Sequence, residues 1–230
     1  VGEDLLSVNH HYSNVLFNVM RGGVFESNYR ILREDLLDFM KSTSPATFDQ
    51  NPSFVKSLDE EFLHETLIRA SKLDGDKNLQ RICYEYLPLS FSRRHGDPSR
   101  PWNQFNIQVQ RADGAKLLNF EGNWRDIFQN WEALCFSTPG FAESMISKFV
   151  NASTLEGYNP YRITRDGIDW ETLNPDDPWS SIGYWGDHQI IYLLKLLEFS
   201  SNHHPERLKE FLTLDIFCYA NVPYRIRPYS

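Results

Sequence analysis

The chain has 230 residues, 31 acidic against 23 basic side chains, and a formal net charge of -8. That balance excludes the basic stripe a nucleic-acid binder needs and disfavours an anionic bilayer, so neither partner is expected. The length can bury a real core, and residues 1–230 are expected to form a single helical domain.

The first predicted helix covers about His11 to Met20, where Tyr12, Val15, Leu16, Val19 and Met20 recur at helical spacing before Gly22-Gly23. A second is expected over Tyr29 to Lys41, then a loop over Ser42 to Asn51 around Pro45. Ser57 and Glu60 have the spacing of a capping box, opening a helix with Phe62, Leu67, Ile68 and Leu73. After an Asp74-Gly75-Asp76 turn, a helix carries Leu79, Ile82, Cys83 and Tyr86 towards Pro88, which should kink or end it. Ser92 to Trp102 is an arginine-rich loop in which Arg93, Arg94 and His95 could serve a phosphate or simply a salt-bridged surface turn.

The one clear β signal follows. Phe105, Ile107 and Val109 alternate with polar residues, Asp113-Gly114 suits a hairpin turn, and Lys116 to Phe120 returns. A β-hairpin insertion over about 104–120 is therefore expected. Helices resume at Asn123 to Leu134 and Phe141 to Asn151. A long irregular loop spans Ser153 to Ser181, and two helices run near Trp185 to Ser200 and Pro205 to Tyr219. The fold class is mainly α, built from sequential helical hairpins. Cys83, Cys135 and Cys218 are odd in number, widely spaced and set in apolar stretches, so all three are expected to be buried thiols in a reducing, cytoplasmic setting. No metal-ligand spacing and no cofactor motif occurs, and no apolar run is long enough to span a bilayer.

Three polar stretches could carry chemistry. In the first, Trp124, Ile127, Phe128, Trp131 and Leu134 share an apolar face, while Arg125, Asp126 and Gln129 gather at the helix start. These can donate to and accept from vicinal hydroxyls; the plain alternative is a capped helix end with a solvated polar face. The second is the loop holding Tyr158 and Tyr161. The third is Trp185-Gly186-Asp187-His188, where Asp187 is either a helix cap or a group at a pocket mouth beside Trp185.

In order, these stretches resemble the cellobiose phosphorylase-type inverting glycoside phosphorylases and hydrolases of the six-hairpin superfamily. Arg125-Asp126-Ile127-Phe128-Gln129-Asn130 is similar to that family's Arg-Asp-x-x-Gln-Asp motif. Gly157-Tyr158-Asn159-Pro160-Tyr161 is similar to its Tyr-rich loop, and Asp187-His188 to its later helix-opening motif. The resemblance implies an (α/α)6 toroid, or part of one, binding an oligosaccharide or a phosphorylated or free sugar at its mouth. It implies that Arg125 and Asp126 hold the sugar whose bond is cleaved, with Trp124, Gln129, Tyr158, Tyr161, Trp185 and His188 around it. Asn130 departs from the motif's second Asp. The family's general acid lies in a later part of the toroid and is expected to fall beyond this chain. An inverting glycosidase needs two carboxyl groups spaced for a water, and Asp126 and Asp187 are the candidates. Two alternatives are a non-catalytic sugar-binding protein and a structural helical protein forming a homodimer through the edge left by missing hairpins.

Overall fold

The computed structural model describes residues 2–21, 24–90, 108, 110–170, 176 and 190–221. Over these the chain is mainly helical, with short antiparallel strands. Helix α1 runs Gly2–Arg21, longer than the periodicity predicts, with Glu3 and Asp4 in the first turn where the helix dipole favours acid. It packs on a later helix, α7 (Trp124–Cys135).

The expected helix from Tyr29 begins later. Ser27, Asn28 and Tyr29 all have positive φ and form a 3-10 turn, and strand β2 (Arg30–Leu32) follows strand β1 (Val24–Phe25). Helix α2 occupies Arg33–Thr43. The loop expected over Ser42 to Asn51 holds a short helix, α3 (Pro45–Gln50), and a second, α4 (Pro52–Ser57), follows it. Each starts on a proline, whose missing N–H costs nothing at a first helical position. Ser57 is no N-cap: its hydroxyl donates back to Phe54 O at 2.7 Å as α4 ends. Strand β3 (Glu61–Leu63) intervenes, pairing Ile31 with Phe62 so that both bury against the core. Helix α5 (His64–Asp74) then ends at Gly75, which takes the left-handed conformation, φ 87°. Asp76 caps α6 (Lys77–Glu85) by accepting from the Asn78 and Leu79 amides. Strand β4 (Leu89–Ser90) returns to pair with β1.

Of the expected β-hairpin, the turn is present: Gly114 has φ 82°, Asp113 Oδ1 accepts from the Ala115 amide at 2.9 Å, and Gln110 bridges Lys116. Beyond that bridge, residues 117–120 carry no strand assignment. Phe105, Ile107 and Val109, with the loop of Arg93, Arg94 and His95, lie outside the described residues.

Strand β5 (Glu121–Asn123) leads into α7, and α8 (Ala142–Asn151) follows a 3-10 turn at Pro139–Phe141. The loop expected to be irregular holds β6 (Arg162–Thr164) and β7 (Ile168–Asp169), which join β5 in a three-stranded sheet. Helices α9 (Ile190–His203) and α10 (Pro205–Leu212) pack behind α8. Helix α10 ends well short of Tyr219: the Thr213 amide and hydroxyl both turn back to Glu210 O.

The predicted apolar face of α7 is the centre of the core. Trp124 and Trp131 are sealed from solvent, and Trp124, Phe128 and Phe149 meet with ring centroids 4.6 to 4.9 Å apart in tilted and edge-on geometry. Cys83 and Cys135 are buried as expected; Cys218 is exposed, because α10 has already ended and its segment runs over the surface. No helix among the described residues is long and apolar enough to cross a membrane.

Candidate functional site

The start of α7 is the element that carries Arg125 and Asp126. Helix N-termini leave N–H groups without intrahelical partners. Here the Trp124 amide donates to Tyr161 O at 3.0 Å, so the loop holding Tyr161 is fixed against the helix start. The Tyr161 amide in turn donates to Asp169 O, and Asn123 pairs with Arg162 in the sheet. Asn123 Nδ2 lies 3.4 Å from Asp126 Oδ2, and Arg125 Nε lies 3.7 Å from Asp126 Oδ1. Arg162 reaches Glu121 Oε1 at 2.6 Å and also binds Asp169. The edge therefore presents Arg125 and Asp126 together with Tyr161 and the start of β6 at Arg162.

The other expected residues are placed differently. Trp124 lies wholly in the core, so its ring packs on Phe128 and Phe149 and offers no face to a sugar. Gln129 is exposed on α7. Tyr158 closes a turn in which Thr154 donates to Tyr158 O at 2.8 Å and Gly157 adopts φ 89°. Trp185, Asp187 and His188 lie outside the described residues.

A second polar cluster was not foreseen from sequence. It joins α2 and α6 to α8 and the β6–β7 turn. Arg165, 5 % exposed, binds Asp35 Oδ1 at 2.8 Å and also donates to Asp35 O. Tyr86 donates to the same carboxylate. Burial holds Asp35 above the usual carboxylate range in spite of the Arg165 guanidinium, and burial also raises the Tyr86 phenol. Asn151 donates to Glu85 Oε1 at 2.6 Å, and Arg81 lies 3.2 Å from that oxygen. Beside them is an open cleft of about 140 Å³, lined by side chains from both halves of the cluster.

Lys148 stands in that wall, 7 % exposed, over the rings of Phe39 and Phe120. Desolvation pushes its amine down to about 8. The available signal was a polar stripe on a short helix: Ser144, Ser147, Lys148 and Asn151 recur at helical spacing on α8, and all are buried. A third cluster is structural. Glu143, sealed from solvent, accepts from Ser200 at 2.5 Å and pairs with Arg207 Nε at 2.9 Å, fixing α9 and α10 on α8. Among the described residues no group of acidic, histidine and cysteine side chains could hold a metal ion.

Compared with known families, residues 25–88 match the model of glycoside hydrolase family 149 insertion domain 1. No curated protein matches the chain. The match is a likeness of residues 25–88 to a glycosidase-related family, and it does not specify a cellobiose phosphorylase-type toroid. Its limits agree with the structure. Phe25 is in β1, and Pro88 immediately precedes β4, the strand with which β1 pairs. The two ends of the matched segment therefore lie side by side.

Proposed function

We propose that this chain is a carbohydrate-active module of the glycoside hydrolase or phosphorylase kind, binding an oligosaccharide at the polar edge of α7. One observation carries the reading: a glycosidase insertion domain is matched by residues 25–88, and those residues are bounded by a paired strand couple. The edge has chemistry that suits it. Arg125 donates, Asp126 accepts, and the Tyr158–Tyr161 loop is anchored beside them, so neighbouring hydroxyls would each find a partner. In the catalytic form of this reading Asp126 and Asp187 act as the carboxyl pair on either side of the scissile bond. A toroidal surrounding, and a single domain over residues 1–230, belong to the same proposal.

Calorimetry with a panel of neutral oligosaccharides, run beside product assays with and without inorganic phosphate, tests it. Binding is expected, with Arg125→Ala and Asp126→Ala each weakening it at least about tenfold, the loss of one charged hydrogen bond. Product formation would make the chain an enzyme, and its phosphate dependence would separate phosphorolysis from hydrolysis. Binding without product would leave a sugar-binding module. A panel that does not bind, or binds the two variants unchanged, removes the proposal.

A further inference from the structure

The cleft between residues 25–88 and the helices after them has no part in the α7 edge. Thr43, Arg81 and Glu85 come from residues 25–88, and Lys148, Asn151 and Asp166 come from α8 and the β6–β7 turn. Its most telling feature is the Lys148 ammonium. Among the described residues Nζ makes one hydrogen bond, to Arg165 O at 3.0 Å. An ammonium has three donors, so two remain for something in the cleft. A buried cation with unused donors is costly, and two aromatic faces offset only part of that cost.

The chemistry of the occupant follows from the wall. Arg81 and Lys148 are balanced by Glu85 and Asp166, so the cleft has no excess charge with which to hold phosphate or a metal ion. It offers donors and acceptors in alternation, which polyols need, and Ile163 and Ile168 supply an apolar wall for C–H groups. The volume, about 140 Å³, is well below that of a pocket for a drug-sized ligand, and the cleft is open on one side. A single ring can seat in it with its outer edge in solvent, and a chain of rings cannot. We infer that this cleft binds a single neutral sugar ring, with Lys148 donating and Asp166 accepting, and that an occupant holds residues 25–88 against the helices that follow them. The choice of a sugar over another small polyol rests on the carbohydrate reading above.

The full chain, labelled with nitrogen-15, would be titrated by NMR with glucose, galactose, mannose and, separately, inorganic phosphate. At least one hexose should shift the Gly167 and Ile168 amides saturably, and phosphate should not. Asp166→Ala removes an exposed acceptor whose ion pair with Arg165 is long, 4.0 Å, and should weaken hexose binding about tenfold. Lys148→Met should abolish it, with circular dichroism reporting whether that variant folds; the Asp166 variant decides the matter if it does not. Phosphate shifting these amides in place of hexose, no hexose shifting them, or hexose affinity unchanged in Asp166→Ala would overturn the inference. The two sites are separable: Arg125→Ala should leave the hexose response intact, and oligosaccharide binding should persist in Asp166→Ala. Loss of the junction response alone removes only this inference, and loss of oligosaccharide binding alone removes only the α7 reading.

Discussion

His64 is buried at the start of α5, its Nε2 3.0 Å from Ser144 Oγ and its ring against Phe141. Burial, helped by the Arg207 cation, pushes its imidazole down to about 3. In the unfolded chain it would protonate near the ordinary value of about 6.5. Between these values the unfolded state holds the extra proton, so stability rises with pH there. The contribution is complete above the upper value and is lost as pH falls towards the lower one. Stability measured by urea denaturation should therefore fall by up to about 1.4 kcal/mol more per pH unit in the wild type than in His64→Gln across that window. Carboxylates common to both proteins cancel in the difference, and equal slopes would show that His64 is not neutral in the fold. Arg165 makes a complementary case. Arg165→Met would leave Asp35 buried without its cation, but that carboxyl can take up a proton and become neutral, whereas Asp35→Asn would leave the Arg165 guanidinium charged and buried with no counterion. Asp35→Asn should therefore cost about 3 kcal/mol and Arg165→Met less; chemical denaturation giving the reverse order would show that the pair is not the anchor its geometry makes it.

Asp76 links two elements with one carboxylate. It caps α6 through the Asn78 and Leu79 amides, and Oδ2 accepts from Asn51 Nδ2 at 2.8 Å, where α3 meets α4. Asp76→Ala should cost about 2 kcal/mol, roughly half from the cap and half from the lost Asn51 bond. The Asn51 hydrogen bond and the amides hold this carboxyl below its ordinary value. Its stabilising effect is thus present above the ordinary carboxylate range and lost in acid, and the gap between wild type and variant should close as pH falls. Elements of this kind were the ones sequence could reveal least. Helix α7 was legible because its five core residues repeat on one face of a single element, and all five are buried. Strands of two or three residues, such as β1 and β7, are too short to show alternation. Proline was read at Pro45 as a loop signal, although at a first helical position it starts a helix. The junction cluster was hidden for a different reason: Asp35 and Arg165 stand 130 positions apart, and nothing local in either neighbourhood announces the other. The polar start of α7 was legible as a group, but the burial of Trp124 was not, since an aromatic beside an arginine reads equally well as a sugar platform or as core.

At the scale of the whole molecule, residues 25–88 are not an appendage. The hydrophobic core runs without a break from Phe39 and Tyr86 inside residues 25–88 to Phe120, Trp124 and Phe149 outside them. Phe25 stacks on Phe141 at 4.3 Å across the boundary. Lys148 and Arg165 both lie against Phe39, and Arg165 takes its carboxylate partner from α2. A chain with residues 26–87 replaced by a short glycine-serine link would keep easy closure, because β1 and β4 are already adjacent and loop entropy grows slowly with length. It would nevertheless lose the anion that neutralises Arg165 and the ring beneath Lys148, leaving two cations in an opened core. The deletion variant is therefore expected to lack a native spectrum by NMR, while the full chain shows one calorimetric transition whose calorimetric and van't Hoff enthalpies agree. Two separate transitions in the full chain, or a deletion variant that melts as sharply as its parent, would mean that residues 25–88 and the helices after them fold independently, and the interface cluster would then be a contact between finished parts instead of a component of one core.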